Sequence, residues 1–117
     1  MAKERPILGL TEEITISSEQ GAAKETVIAR IDTGATLSSI DTELAKTLGI
    51  TTIIREKTVK SASGKSVRPV VNATVEIKGQ QIEGEFSLAN RKSMKYQVLI
   101  GQNHLKKGNY LVDPQID

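Results

Sequence analysis

The chain has 117 residues, 16 Lys and Arg against 14 Asp and Glu, one histidine and no cysteine. That length suits a single domain, expected over residues 1–117, large enough to fold without disulfides or a structural metal. The lack of thiols excludes cysteine catalysis and Cys-ligated zinc, and a net charge of +2 with three aromatics (Phe86, Tyr96, Tyr110) leaves no basic, aromatic-laced stripe for nucleic acid.

The first six residues are charged and no apolar run of signal-peptide length follows them. No stretch approaches the roughly 20 apolar residues of a membrane span, so the expectation is a cytoplasmic protein with no membrane partner. Residues 6–10 are apolar, as are residues 110–112, and both are expected to join a sheet between two copies of the chain. Strands are expected at 13–17 and 26–31. Ile40, Leu44, Ala45 and Leu48 then repeat at helical spacing, with Asp41 placed to cap the start and Gly49 to end the turn. A strand at 53–60 leads into a glycine-tipped hairpin, Ser61-Ala62-Ser63-Gly64-Lys65-Ser66. Period-two alternation over 71–78 predicts a further strand, Lys78-Gly79-Gln80-Gln81 a tight turn, and Ile82, Gly84, Phe86 and Leu88 the returning strand. Residues 98–101 read as a short strand, 102–107 as a short helix stopped by Gly108, and 110–112 as a last strand. The fold class is mainly β, with closed, barrel-like packing and one or two short helices.

Three motifs invite chemistry. Gly64-Lys65-Ser66 matches the tail of a phosphate-binding loop, but the glycine that loop needs five residues earlier is Val59, and strands flank the segment. His104 stands alone, without ligand spacing to other residues, and is expected to pack on its helix or face solvent rather than bind metal. Asp32-Thr33-Gly34-Ala35 is more informative. An apolar strand runs into a carboxylate, a hydroxyl and a glycine that allows a sharp turn, and small residues follow.

The order Asp32-Thr33-Gly34-Ala35, glycine-tipped hairpin, then Val98-Leu99-Ile100-Gly101 before a short helix resembles the retropepsin-like aspartic peptidases over nearly the whole chain. The chain is similar in particular to the family labelled RimK-associated, or ATP-dependent zinc, proteases. That likeness lies in Ile7-Leu8-Gly9 with Glu12-Glu13, Arg30 to Ala35, Ser38-Ser39, Asn90-Arg91 with Met94, residues 98–101 and Leu111-Val112-Asp113-Pro114. Thr36 and Gln102 depart from the pattern, standing where retropepsins commonly use an ion pair to support the active-site loop. The departure implies a neutral substitute.

The resemblance implies a closed acid-protease barrel and a homodimeric aspartic endopeptidase. One Asp32 per chain meets its counterpart on a two-fold axis, and the pair activates water for peptide hydrolysis. Thr33 and Gly34 complete the catalytic loop, with Ile100, Gly101 and Gln102 supporting it. Ala35 and the flap residues Ser61, Ala62, Ser63, Gly64 and Lys65 contact the peptide. No cofactor is expected, and no ligand cluster or phosphate loop backs the zinc and ATP of the family label. The family's association with a glutamate ligase implies glutamate-rich peptides, which Lys57, Lys60, Lys65 and Arg68 would attract. The alternatives are a peptide-binding module of the same fold that does not cleave, a metal-dependent hydrolase, and a purely structural role.

Overall fold

The computed structural model describes residues 4–62 and 64–117. Its strands are β1 (Ile7–Leu8), β2 (Thr11–Ser17), β3 (Lys24–Ile31), β4 (Ser38–Asp41), β5 (Ile53–Ser61), β6 (Gly64–Ile77), β7 (Gln80–Ala89), β8 (Val98–Ile100) and β9 (Leu111–Val112). Two helices of six residues, α1 (Thr42–Thr47) and α2 (Gln102–Lys107), follow β4 and β8. The strand order β2-β3-β8-β4-β7-β6 closes on itself through a β2–β6 pairing, giving a six-stranded barrel. Closure removes the sheet edges that would otherwise need protection. β5 lies outside the ring, paired only with β6, and so forms one arm of a projecting hairpin.

The alternation of β6 and β7 sends Val71, Ala73, Val75, Ile77, Ile82 and Phe86 inward, where they meet Ile14, Ile16, Ala29, Ile31, Ile40, Val98 and Ile100. The β6–β7 turn is tighter than the four residues expected, because Ile77 pairs directly with Gln80. Lys78 (φ 51°) and Gly79 (φ 79°) both adopt the left-handed conformation that a two-residue hairpin turn requires. Tyr110 packs into the same core, its hydroxyl donating to the Ile77 carbonyl oxygen at 2.7 Å. Burial pushes that hydroxyl's pKa up to about 12.

Several boundaries differ from the pattern-based expectation. Ile40 belongs to β4 rather than to a helix, since residues 38–41 are claimed by parallel pairing with β7 and antiparallel pairing with β8. The helix itself is short, and Asp41 caps it: Oδ2 accepts from Leu44 N at 3.3 Å. β6 begins at Gly64, seven residues earlier than the alternation suggested, so the projecting hairpin is longer than the pattern implied. The two apolar end segments pair with each other within one chain, as the parallel ladder Ile7↔Leu111 and Leu8↔Val112. That two-stranded sheet leaves Ile7, Leu10, Leu111 and Ile116 exposed.

Candidate active site

β3 delivers Asp32 to the end of the barrel by parallel pairing with β8, Ile31 against Ile100. The Asp32 N–H donates to the Ile100 carbonyl oxygen at 2.9 Å, which extends that ladder by one rung. Its Oδ1 accepts the Gly34 N–H at 2.9 Å, so the side chain folds back on its own turn. Among the described residues Oδ2 has no partner, and Asp32 is half-buried while Thr33 and Gly34 are exposed. A side chain at position 34 would begin 3.3 Å from Oδ1, tight enough to disturb this turn.

Residues after β8 strap the loop down. Gln102 N donates to the Ala35 carbonyl oxygen at 2.7 Å, and its side-chain Nε2 donates to the Thr33 carbonyl oxygen at 2.7 Å. This neutral amide therefore reaches the loop from one of the two places where an ion pair is common in retropepsins. Thr36, the other neutral departure, accepts from Lys57 Nζ at 3.2 Å, which ties the base of the projecting hairpin to the loop. Gly101 sits where a Cβ would lie 2.8 Å from the Ala35 oxygen and 2.9 Å from the Leu37 carbonyl carbon. Both obstacles are backbone and cannot rotate away. Gly101→Ala is expected to lower unfolding stability by about 1–3 kcal/mol, read as a lower urea midpoint at unchanged slope.

Below the strap lies a polar network that sequence reasoning did not assign. Ser38 is fully buried, and its Oγ accepts the Gly101 N–H at 2.8 Å. The same hydroxyl is 3.0 Å from Asn103 Oδ1 and 2.6 Å from His104 Nδ1. Asn103 also takes the Ser38 N–H and donates to the Glu85 carbonyl oxygen, so it joins β4, α2 and β7. Ser38-Ser39 stood among the residues carrying the resemblance, but only the fold gives Ser38 this role.

Arg91 was missed in the same way. It is 7% exposed, held by its N–H on Asp41 Oδ1 at 2.8 Å and by Nε on the Tyr96 carbonyl oxygen at 2.9 Å. Among the described residues its two Nη atoms have no acceptor. Burial lowers its pKa from the usual value, and the like charges of Arg68 and Arg30 add to that, against Asp41 and Asp32. Arg91 is thus a largely buried, partly desolvated cation in electrostatic range of Asp32. Arg30 also lines a cavity of about 350 Å³ with Lys95, Tyr96, Leu10, Thr11, Ile31 and Asp117, beside the strand that leads to Asp32. On the hairpin, Arg55 pairs with Glu85 at 2.7 Å, and that hydrogen bond raises the Arg55 pKa.

The structure therefore brings Asp32, Thr33, Gly34, Ala35, Ile100, Gly101 and Gln102 together in one loop and its strap. Ala62, Gly64 and Lys65 are exposed at the end of the hairpin, while the contact from hairpin to loop comes from Lys57. Ser63 and the Ser61 side chain lie outside the described residues. Gly64-Lys65-Ser66 opens β6 and has no helix after it, so it cannot form the helix-terminal phosphate cradle. The zinc of the family label does not fit the donor set. No group of three His, Asp or Glu side chains converges among the described residues, and His104 Nε2 is buried against Gly84.

Comparisons with known proteins agree with this fold. A family model described as RimB-like, retropepsin-like aspartic endopeptidase RimB, matches residues 42–117. A Legionella pneumophila protein of unknown function is similar in structure, with a TM-score of 0.63 at 21% identity over 97% of this chain and 96% of that one. The protease of simian foamy virus gives 0.58 at 19% identity, over 82% and 91% of the two chains. The EIAV protease gives 0.60 at 18% identity, over 92% and 91%. No match was found among curated proteins. At these identities the solved structures speak for the fold.

Proposed function

The chain belongs to the RimB-like family of retropepsin-like aspartic endopeptidases, and we propose that two copies of it build one peptidase site, each supplying Asp32. The observation that carries this reading is the Asp32 carboxylate itself, with Oδ1 fixed by Gly34 N–H and Oδ2 free in a loop exposed at Thr33 and Gly34. An isolated carboxylate cannot do this chemistry alone. Two brought close together share one proton, because like charges at short range cannot both ionise. The ionised member takes a proton from water as it attacks the scissile carbonyl carbon. The protonated member polarises the carbonyl oxygen, and a proton then passes to the leaving amine as the C–N bond breaks. In this reading residues 1–117 form one retropepsin-like domain of a cytoplasmic homodimer.

Thr33 and Gly34 shape the loop where the copies meet, and Ile100, Gly101 and Gln102 hold it. A hollow of about 280 Å³ beside Thr33, lined by Leu105, Tyr110, Leu111 and Val112, supports contact with a second copy on this face. Ala35 and the hairpin end, with Ala62, Gly64 and Lys65, enclose an extended peptide and exclude water. The substrate class is acidic, best met by glutamate-rich peptides such as a glutamate ligase would make. Arg91, whose Nη donors have no acceptor among the described residues, lies in electrostatic range of Arg30 and Arg68, and this cationic group supports the reading, since a guanidinium pairs in bidentate fashion with a carboxylate.

The test is hydrolysis of a peptide pool that includes oligoglutamate, with and without chelator. Chelator-insensitive cleavage favouring glutamate is the expected result. Arg91→Met should cut kcat/KM on oligoglutamate by about 10- to 100-fold while sparing neutral peptides. Equal loss on both classes would assign Arg91 to loop packing instead. A second reading, a module that binds such peptides without cleaving them, is kept because the matched family segment starts at residue 42, after Asp32.

A further inference from the structure

We propose that His104 is a positioning residue for the Asp32 loop, acting through the Ser38 hydroxyl on the Gly101 N–H. This rests on the peptidase reading of Asp32 for its catalytic consequence, although the structural part stands without it. His104 is 1% exposed, its ring lies 4.6 Å from that of Phe86, and Gly84 gives it room: a Cβ there would come within 2.8 Å of Nε2. Nε2 has no hydrogen-bond partner, whereas Nδ1 is 2.6 Å from Ser38 Oγ.

These contacts select one proton arrangement. Ser38 Oγ already accepts from Gly101 N and has one proton to give. If His104 carries its proton on Nδ1, it donates to Ser38 Oγ, and Ser38 donates onward to Asn103 Oδ1. Only a lone pair on Nε2 is then unmet. The other tautomer would leave a buried N–H facing Gly84 and would take the Ser38 proton away from Asn103. An unmet buried donor costs more than an unmet buried acceptor. The favoured arrangement is a chain running from His104 through Ser38 to Asn103 and the Glu85 carbonyl oxygen, each bond polarising the next. Gly101 hangs from its middle. On either side of Gly101, Ile100 takes the Asp32 N–H and Gln102 holds the Ala35 and Thr33 carbonyl oxygens. A histidine that touches no substrate thus fixes the height of the catalytic carboxylate.

Protonation of Nε2 would disturb this arrangement, and the surroundings resist it. Burial, then Lys107, push the His104 pKa down to about 4. Lys107 and Asn103 on α2, Glu83 and Glu85 on β7 and Asn72 on β6 line a cavity of about 380 Å³ with His104. Neither carboxylate reaches Nε2, since that atom has no partner.

The test compares His104→Leu and His104→Asn, the second keeping an uncharged amide donor near the Nδ1 position. His104→Leu should speed hydrogen exchange of the Asp32, Gly101 and Gln102 amides about tenfold, with β6–β7 amides at Val75 and Ile82 unchanged. On oligoglutamate its kcat should fall about 10- to 100-fold at constant KM, and His104→Asn should recover most of both. If His104→Leu fails to fold, Ser38→Ala carries the same expectation. Wild-type exchange rates at Asp32 and Gly101 in a folded His104→Leu or Ser38→Ala overturn the proposal, as does failure of His104→Asn to rescue. If wild type itself cleaves nothing, the peptidase reading fails, and the exchange rates still decide whether His104 sets the loop.

Discussion

Asp32→Asn is expected to lower kcat for the proposed peptide hydrolysis by about 10²- to 10⁴-fold while leaving the fold intact. Asparagine is close to isosteric and can present its amide oxygen to the Gly34 N–H, so the turn that Asp32 Oδ1 now closes survives. What disappears is the proton traffic, and losing a general acid–base group typically costs 10²–10⁴-fold. A shared dyad makes a sharper demand. Mixed dimers of wild type and Asp32→Asn hold one carboxylate, so an equimolar mixture equilibrated from monomers should retain about a quarter of the activity rather than half. Retention of half would mean each copy works alone. Chelator-sensitive cleavage that survives Asp32→Asn would assign the chemistry to a metal, and binding without cleavage by wild type would favour the peptide module. Circular dichroism and urea midpoints matched to wild type would confine the loss to chemistry.

Unfolding stability is expected to fall by about 3 kcal/mol as pH drops from about 6.5 to about 4, with His104 as the cause. In the unfolded chain the imidazole titrates near its model value of 6.5; in the fold, burial and then Lys107 hold it at about 4. Between those values the unfolded state binds a proton that the native state does not, so acid favours unfolding. Stabilisation is therefore complete above about 6.5 and lost as pH approaches 4; below that both states are protonated and the contribution stays flat. Carboxylates titrate in part of the same window, so the quantity to measure is the difference between wild type and His104→Asn. Urea unfolding at intervals from pH 4 to 7 should show the wild type losing about 3 kcal/mol more than the variant. Parallel curves would mean that the imidazole is solvated in the native state, contrary to its burial.

The strands of the β6–β7 hairpin were legible because their side chains alternate between a core and a wet face. That period is a property of the chain itself. Asp41 as a helix cap and Gly108 as a stop were legible for a similar reason, since capping involves groups only a few residues apart. β4 was not, because four fully buried residues show no alternation, and Ile40 fits a helical stripe as well as a strand. Its identity comes from β7 and β8 on either side, which are distant in sequence. The length of the projecting hairpin was hidden too, since both faces of its outer part are exposed and the pattern that marks a strand fades there.

The site divides along the same line. Asp32, Thr33, Gly34 and Ala35 are contiguous, so the sequence alone marked the Asp32 turn as the candidate loop, and it also carried the mainly β, closed class and the glycine at Gly101 that leads the strap. Only the tertiary structure decided what holds that loop and what it faces. Gln102 reaches Thr33 across 69 positions, Ser38 meets His104 across 66, and Arg91 meets Asp41 across 50. Such partners are joined by the closing of the barrel rather than by the chain. An arginine's burial, or the single free nitrogen of a histidine, exists only once the strands around it have met.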